Sequence, residues 1–341
     1  TTPAHVKAIV DAVSELSPRE IPTESHSHAA AGTDPLLYDD SMRPLFVGER
    51  SNVIGSRKFK ELIRNKQFEQ AAEIARAQVK KGAHVIDICL ADPDDDELGN
   101  MKAFVQEVVK KVKVPLVIDS TDDQVIEAAL KHSQGKAVIN SVNLEDGEDK
   151  FASVTALIHQ YGGALVVGTI DEKGMAITAE DKLRVAKRSY DLLVNKYRMN
   201  PKDIIYDPLV FPVGTGDQQY IGSALETVKG IQAIKETLPE CLTILGISNV
   251  SFGLPPRGRE ILNAVFLYHC TKAGLDYAIV NTEKLERFAS IPKDEIELAE
   301  KLLFETNDES LQTFTNFYRD KKVEKKVNTK QLPLEERLAQ Y

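Results

Sequence analysis

The chain has 341 residues, a formal net charge of −9 and a pI near 5.4, which argues against a general nucleic-acid surface, since that needs clustered Lys and Arg. Its length accommodates one large α/β domain of about 250 residues with terminal appendages, or two ordinary domains. Cys89, Cys241 and Cys270 form no C-x-x-C pair, so neither a disulfide framework nor a structural zinc site is signalled and a reducing cytoplasm fits, while no apolar run reaches the ~18 residues of a membrane span.

The first element read from the sequence is a helix: Thr2 as cap, Pro3 in the first turn, then Val6, Ile9, Val10 and Val13 along one face. The opening residues lack the basic start and apolar middle of a signal peptide. Because the chain starts at Thr1 with no initiator Met, a processed form or an excised piece of a longer chain is expected. Residues 17–35, SPREIPTESHSHAAAGTDP, have the composition of a linker or of chain lying on a surface. His26 and His28 have the spacing to chelate a metal, but in such a segment they are expected to be solvated, and no metal site is assigned.

From Leu45 the sequence alternates. Eight short apolar runs, LFVGER, HVIDIC, PLVIDS, AVINSV, ALVVGTI, IIYDPLV, LTILGIS and DYAIVN, are separated by longer stretches with apolar residues at helical spacing; a further one, IPKDEIELAEKLLF, follows the last run. Strict alternation with continuous apolar strands predicts a parallel sheet covered by helices. Eight units between about residues 45 and 306 match the (β/α)8 barrel, or TIM barrel, in count and size. The competing doubly wound sheet has fewer strands as a rule, and no G-x-G-x-x-G follows the first run.

A parallel barrel gathers its strand C-termini at one face, where active sites of such barrels are built. Here those ends carry Glu49 and Arg50 with Asn52 just beyond, then Asp87, Asp119, Asn140, Thr169, Asp207, Ser248 with Asn249, and Asn281. Any single Asp or Asn of this set has an ordinary explanation as a turn former or helix cap. The set is harder to dismiss: Asp119 and Asn140 precede other capping candidates, Ser120 or Thr121 and Ser141 or Asn143, and Asp87 lies within its apolar run. Buried carboxylates need partners. A ring of Asp and Asn suits a heterocycle offering N–H donors and ring acceptors along one edge, as a pterin or a purine does. No Ser-His-Asp order, G-x-S-x-G, P-loop or H-E-x-x-H occurs, and His84, His132, His159 and His269 fall away from the strand ends. Catalysis is therefore expected to rest on hydrogen bonding and positioning.

Five segments in order, GERSNVIGSRKFKELI, VIDST, AVINSVN, YDPLV and GISNVSFGLPPRGREILNAVF, resemble the methyltetrahydrofolate-binding (pterin-binding) domain of cobalamin-dependent methionine synthase. They are also close to corrinoid iron-sulfur protein methyltransferases, and more distantly similar to dihydropteroate synthases. The resemblance covers about residues 42–320. It implies an enzyme that binds 5-methyltetrahydrofolate and passes the N5-methyl group to cob(I)alamin held by another domain, the folate half-reaction of methionine biosynthesis from homocysteine. The implied alternatives are methyl transfer to a corrinoid iron-sulfur protein, a dihydropteroate synthase-like enzyme, and a non-catalytic pterin-binding module.

By the same resemblance Asp119, Asn140 and Asp207 hold the pterin edge with Asn52 and Asp87 beside them, Asn249 reaches N5, and Ser248 and Arg257 support that Asn and the ligand. Residues 1–41 become the closing helix of a preceding homocysteine-binding domain with its linker, and 321–341, including LPLEERLAQY, a linker toward a cobalamin-binding module of the same parent protein. The partners implied are those two domains and the folate, with no nucleic acid and no membrane. Two positions depart from relatives. Cys89 stands where an Asn often completes an Asp-x-Asn pair, and is expected to be a small buried residue facing the same side as Asp87. Phe252 stands where the corrinoid protein methyltransferases tend to have Gln.

Overall fold

Each apolar run becomes a strand, and the eight strands are parallel and close into one barrel in the computed structural model, which describes residues 1–20, 26–319 and 321. In chain order they are β1 Leu45–Asn52, β2 Val85–Cys89, β3 Leu116–Asp119, β4 Ala137–Val142, β5 Gly163–Gly168, β6 Ile204–Asp207, β7 Leu242–Gly246 and β8 Tyr277–Val280. β8 pairs back onto β1, with Tyr277 opposite Leu45 and Val280 opposite Gly48, which completes the ring. Helices cover the outside, so the fold is a (β/α)8 TIM barrel with an N-terminal helix. Among the described residues no helix is long and apolar enough to cross a membrane.

Side chains in a strand alternate between faces, and that period sorts each run into two cores. Leu45, Val47, Val85, Val117, Val138, Ala164, Val166, Ile205, Leu242, Ile244 and Tyr277 fill the barrel interior. The alternate positions, among them Ile86, Ile88, Leu116, Ile118 and Ile139 on one side of the ring and Leu245 and Ala278 on the other, pack under the helices. Two steps beyond the interior Val47, Val85, Val117, Val138 and Ile205 stand Glu49, Asp87, Asp119, Asn140 and Asp207. The period that fills the interior with apolar side chains therefore carries polar ones to its C-terminal mouth.

Two irregularities adjust this pattern. The β1–β2 register slips between Gly48 and Ser51, so β1 gains one residue against β2. Past this bulge the parity reverses: Ser51 turns outward, where its hydroxyl accepts from Gln78 Nε2 at 3.0 Å, and both Glu49 and Asn52 face the mouth. A similar slip separates Ile139 from Val142 in the β4–β5 pairing.

The segment read as a surface linker closes the other end of the barrel. Ala29–Ala31 pairs antiparallel with Pro35–Leu37, and buried Ala30 and Tyr38 join the interior core. Below them Asp276, with no exposed surface, accepts from Tyr38 Oη at 2.5 Å, Arg43 Nη2 at 2.9 Å, Lys235 Nζ at 2.9 Å and the Thr243 amide at 2.8 Å. His26 Nε2 lies 3.0 Å from Asp203 Oδ1 and His28 Nε2 lies 2.7 Å from the Glu240 carbonyl, so both histidines tie this segment to the barrel, His26 while remaining exposed as expected.

Three further observations concern helices. The stretch of helical spacing between the first two apolar runs, residues 59–82, is two helices, Arg57–Arg64 and Phe68–Lys80, broken where Lys66 takes a left-handed backbone (φ 56°) and its Nζ reaches Asp95 at 2.8 Å and Asn100 at 2.7 Å. An additional helix, Asp308–Arg319, packs Phe314 and Tyr318 over the barrel. Helix Pro3–Val13 forms as expected but buries none of its residues. LPLEERLAQY lies outside the described residues.

Candidate functional site

A cavity of roughly 650 Å³ opens at the C-terminal ends of the strands. Its wall includes Asn52 from β1, Asp87 from β2, Asp119 from β3, and Ser248 and Asn249 from the turn after β7. Five of the eight residues singled out from the sequence therefore share one cavity. Asn140 and Asp207 continue the interior face on neighbouring strands, Asn140 opposite Asp119 and Asp207 opposite Gly168, but they are not part of that wall. Arg257 is not part of it either. It donates to Glu260 Oε2 at 3.2 Å and Glu286 Oε1 at 3.0 Å.

Asp87 is 2 % exposed, and its Oδ1 has no hydrogen-bond partner among the described residues. Its Oδ2 has only the Asn52 amide nitrogen, at 3.5 Å. Burial holds this carboxyl well above the usual carboxylate range, and the charges of Asp119 and Glu49 push the same way. Asp119 is pushed up to about 6, chiefly by burial and further by Glu97, while the neighbouring Cys89 thiol pulls the other way. Cys89, where relatives often have an Asn, is buried, and burial pushes its thiol up.

Asp119 is free to face the cavity because capping falls elsewhere. Asp122, beyond the residues considered from the sequence, accepts from the Gln124 and Val125 amides at 2.7 and 3.3 Å and caps helix Asp123–His132. Ser120 donates to Glu97 at 2.7 Å. Asp207 is also pushed up to about 6 by burial, against the Leu209 amide and the charge of Lys182.

After β7 the chain makes a 3-10 turn, Ile247–Ser251, before Pro255 and Pro256 start the helix Pro256–Ala273. The turn brings Asn249 to the cavity beside Gly246, where an added Cβ would lie 3.0 Å from Asn249 Nδ2. Ser248 Oγ donates to Glu49 Oε2 at 3.1 Å, tying the β7 turn to β1 across the ring. Burial raises the Glu49 carboxyl.

Several wall residues were given no binding role from the sequence: Glu49 and Arg50, noted there only as strand-end residues, and Arg259, Glu260, Asn263 and Lys284. Glu49 was identifiable from its inward parity, two residues after Val47. Arg259 and Asn263, four apart, share a helical face; Arg259 Nε also donates to Ser251 Oγ at 3.2 Å, and Asn263 Oδ1 is buried with no partner among the described residues. Around this cavity the donor-less acceptor of Asp87 stands on the barrel side and that of Asn263 on the helix beside Arg259, and three cations, Arg50, Arg259 and Lys284, share the wall. A ligand with a face of N–H donors and an anionic group meets both. Among the described residues no group of three or more His, Cys, Asp or Glu is placed to hold a metal ion.

Comparison with known proteins agrees with this fold. The family model of pterin binding enzymes matches residues 48–281. A methionine synthase from Mycobacterium tuberculosis is 34% identical over 353 aligned positions, covering 100% of this chain but only 29% of that protein's own length. Among solved structures, a dihydropteroate synthase from Xanthomonas albilineans in complex with 7,8-dihydropteroate aligns with a TM-score of 0.52 at 16% identity, covering 78% of this chain and 95% of that one. A Yersinia pestis dihydropteroate synthase aligns with a TM-score of 0.52 at 16% identity, covering 80% and 98%. At that identity the structural likeness speaks for the fold alone.

Proposed function

Because the chain belongs to the family of pterin binding enzymes, we propose that its barrel mouth binds 5-methyltetrahydrofolate and transfers the N5-methyl group to cob(I)alamin held by another domain of a methionine synthase. The observation that carries the reading is the orphaned Asp87 Oδ1 beside Asp119 and Asn52 in the same cavity as Asn249. A buried acceptor without a donor is costly in the empty protein. The amino and ring N–H groups of a pterin edge supply the missing donors, and a carboxylate takes two of them in parallel. Asn140 and Asp207 complete that edge in this reading, and Arg259, in place of Arg257, supports the ligand from the β7 side.

Methyl transfer breaks the N5–CH3 bond and leaves its electron pair on N5, which takes up a proton to give tetrahydrofolate. A neutral tertiary amine is a poor leaving group, so the site must favour N5 as it gains a proton. Asn249 meets that requirement, because its amide accepts from a protonated nitrogen or donates to an unprotonated one without ionising. Ser248 and Glu49 hold the turn that presents it. The corrinoid supplies a strongly nucleophilic acceptor for the methyl group when its domain docks at the mouth.

A second reading is favoured by the three cations on the wall. A dihydropteroate synthase-like enzyme needs an anion site for a pterin diphosphate, and Arg50, Arg259 and Lys284 give the cavity that character. The same cations suit the glutamate carboxylates of a folate. One experiment separates the two: incubation with 5-methyltetrahydrofolate and free cob(I)alamin, and in parallel with dihydropterin diphosphate and 4-aminobenzoate. Demethylation of the folate in the first is expected; condensation in the second with none in the first would replace this reading, and binding without either reaction would leave a pterin-binding module.

A further inference from the structure

Lys182 lies on helix Ala179–Tyr190 with no exposed surface, and nothing in the reaction described so far uses it. A lysine removed from water is costly unless its charge is met, so its partners indicate its role. Nζ donates to the Pro208 carbonyl at 2.5 Å and the Ala176 carbonyl at 2.8 Å, and sits 5.0 Å from the centre of the Phe211 ring. Pro208 and Phe211 belong to the loop that leaves β6 immediately after Asp207.

That loop fixes the Asp207 carboxylate. The Leu209 amide donates to Asp207 Oδ1 at 2.8 Å, and Leu209 holds a left-handed backbone, φ 62°, uncommon for a bulky residue. Thr227 Oγ1 donates to the Leu209 carbonyl at 2.9 Å from the next helix. Lys182 therefore grips the carbonyl of the peptide whose N–H orients Asp207. The neighbouring helix leaves room for the lysine stem at Gly230, where an added Cβ would lie 2.7 Å from Lys182 Cδ.

Charge supports the geometry. The groups facing Lys182 are Asp207 from β6 and Glu226 from helix Ser223–Thr237; Glu226 also accepts from the Ala179 amide at 2.8 Å and pairs with Lys229 at 3.1 Å. Burial pushes Lys182 down to about 8 while Asp207 and Glu226 pull it back, and Lys182 in turn works against the burial that pushes Asp207 up to about 6. Each group thus favours the charged form of the other.

We propose that Lys182 is a positioning residue: it holds the loop Pro208–Phe211 so that the ionised carboxylate of Asp207 faces the pterin edge. This rests on the folate reading in one respect, that Asp207 meets the ligand.

The test is calorimetric titration with 5-methyltetrahydrofolate from pH 5 to 8 of four proteins: the unaltered chain, Lys182→Met, Asp207→Asn and the double variant. Asp207→Asn is expected to weaken binding. Lys182→Met is expected to weaken it about tenfold at pH 7 and to move the acid fall-off of affinity up by about one pH unit, the size of one opposite charge lost. In the Asp207→Asn background the same change should matter by less than about twofold. If Lys182→Met does not melt cooperatively, Gly230→Ala carries the comparison, since it presses on the lysine stem and keeps every charge; weaker binding is expected with Asp207 present and none of that loss with Asn in its place. Equal losses in both backgrounds, or an unchanged affinity and pH profile in Lys182→Met while Asp207→Asn weakens binding, overturn the proposal. An unchanged affinity in Asp207→Asn would instead remove Asp207 from the folate reading, and this inference with it.

Discussion

Asn52 and Asp87 face each other across the seam of β1 and β2, the amide nitrogen 3.5 Å from Asp87 Oδ2, and the other oxygen of Asp87 is buried with no donor among the described residues. A carboxyl so placed, with Asp119 and Glu49 nearby, is a cost to the empty fold that a ligand rich in N–H groups can remove.

Asp87→Asn should therefore stabilise the empty protein and weaken its ligand. Since the folded-state value lies well above the ordinary one, the folded chain holds this proton where the unfolded chain has lost it. The stability cost is absent below about pH 4 and grows as pH rises through the folded value. Thermal melts should show Asp87→Asn more stable by about 1–2 kcal/mol at pH 7 and equal at pH 3.5, while 5-methyltetrahydrofolate binds about tenfold or more weakly. A variant less stable than the parent at pH 7 would mean that the carboxylate is satisfied in a way this geometry does not show.

Affinity and stability should respond to pH in opposite directions. Asp119 and Asp207 are both pushed up to about 6, and a carboxylate accepts two N–H donors only when ionised. Binding of 5-methyltetrahydrofolate should fall as pH drops through 6. The empty fold should gain from the same protonation, because these groups cost stability above their folded values and not below the unfolded ones. Calorimetry and melting curves on one set of buffers from pH 4.5 to 8 check both limbs, and affinity independent of pH would exclude the two carboxylates from the contact.

What the sequence made legible was whatever depends on period. Apolar runs of alternating parity specify which side chains fill the barrel, so Asp87, Asp119, Asn140 and Asp207 could be placed at its mouth by counting two from Val85, Val117, Val138 and Ile205. A one-residue bulge defeats counting. Nothing in GERSN announces that β1 slips between Gly48 and Ser51, and this slip lets Glu49 join Asn52 on the wall. Composition was a poor guide in the described part of residues 17–35, read as a linker or a chain lying on a surface, because Ala30 from it and Tyr38 just beyond it stop the floor of the barrel. Small residues suit a tight plug as well as a loose chain, and only the partners across the barrel, such as Asp276 for Tyr38, distinguish them.

The two arginines after β7 turn on a phase of the same kind. Positions two apart on a helix differ by about 200°, so one of Arg257 and Arg259 must point away from the cavity, and Pro255–Pro256 do not reveal which. The helix directs Arg259 inward and Arg257 to Glu260 and Glu286. Arg259→Ala should weaken folate binding about tenfold, the scale of one charge-assisted contact. Arg257→Ala, at a partly exposed ion pair, should leave affinity unchanged and cost no more than about 1 kcal/mol of stability. The reverse ranking in a calorimetric comparison would show that the helix begins in another phase.

Asn249 carries the chemical step in this reading, and the close approach of Gly246 offers a way to perturb it without removing it. Asn249→Ala should slow methyl transfer to free cob(I)alamin by about a hundredfold or more, the loss expected for one preorganised polar contact, while affinity changes less. A methyl group at residue 246 would stand 3.0 Å from Asn249 Nδ2, closer than side chains pack at ease, so the amide must shift by a few tenths of an ångström. Gly246→Ala should therefore slow transfer with little change in binding, and adding it to Asn249→Ala should cost almost nothing more, since the contact it disturbs is already gone. A further large loss in the double variant would show that Gly246→Ala acts on the barrel wall and not through Asn249.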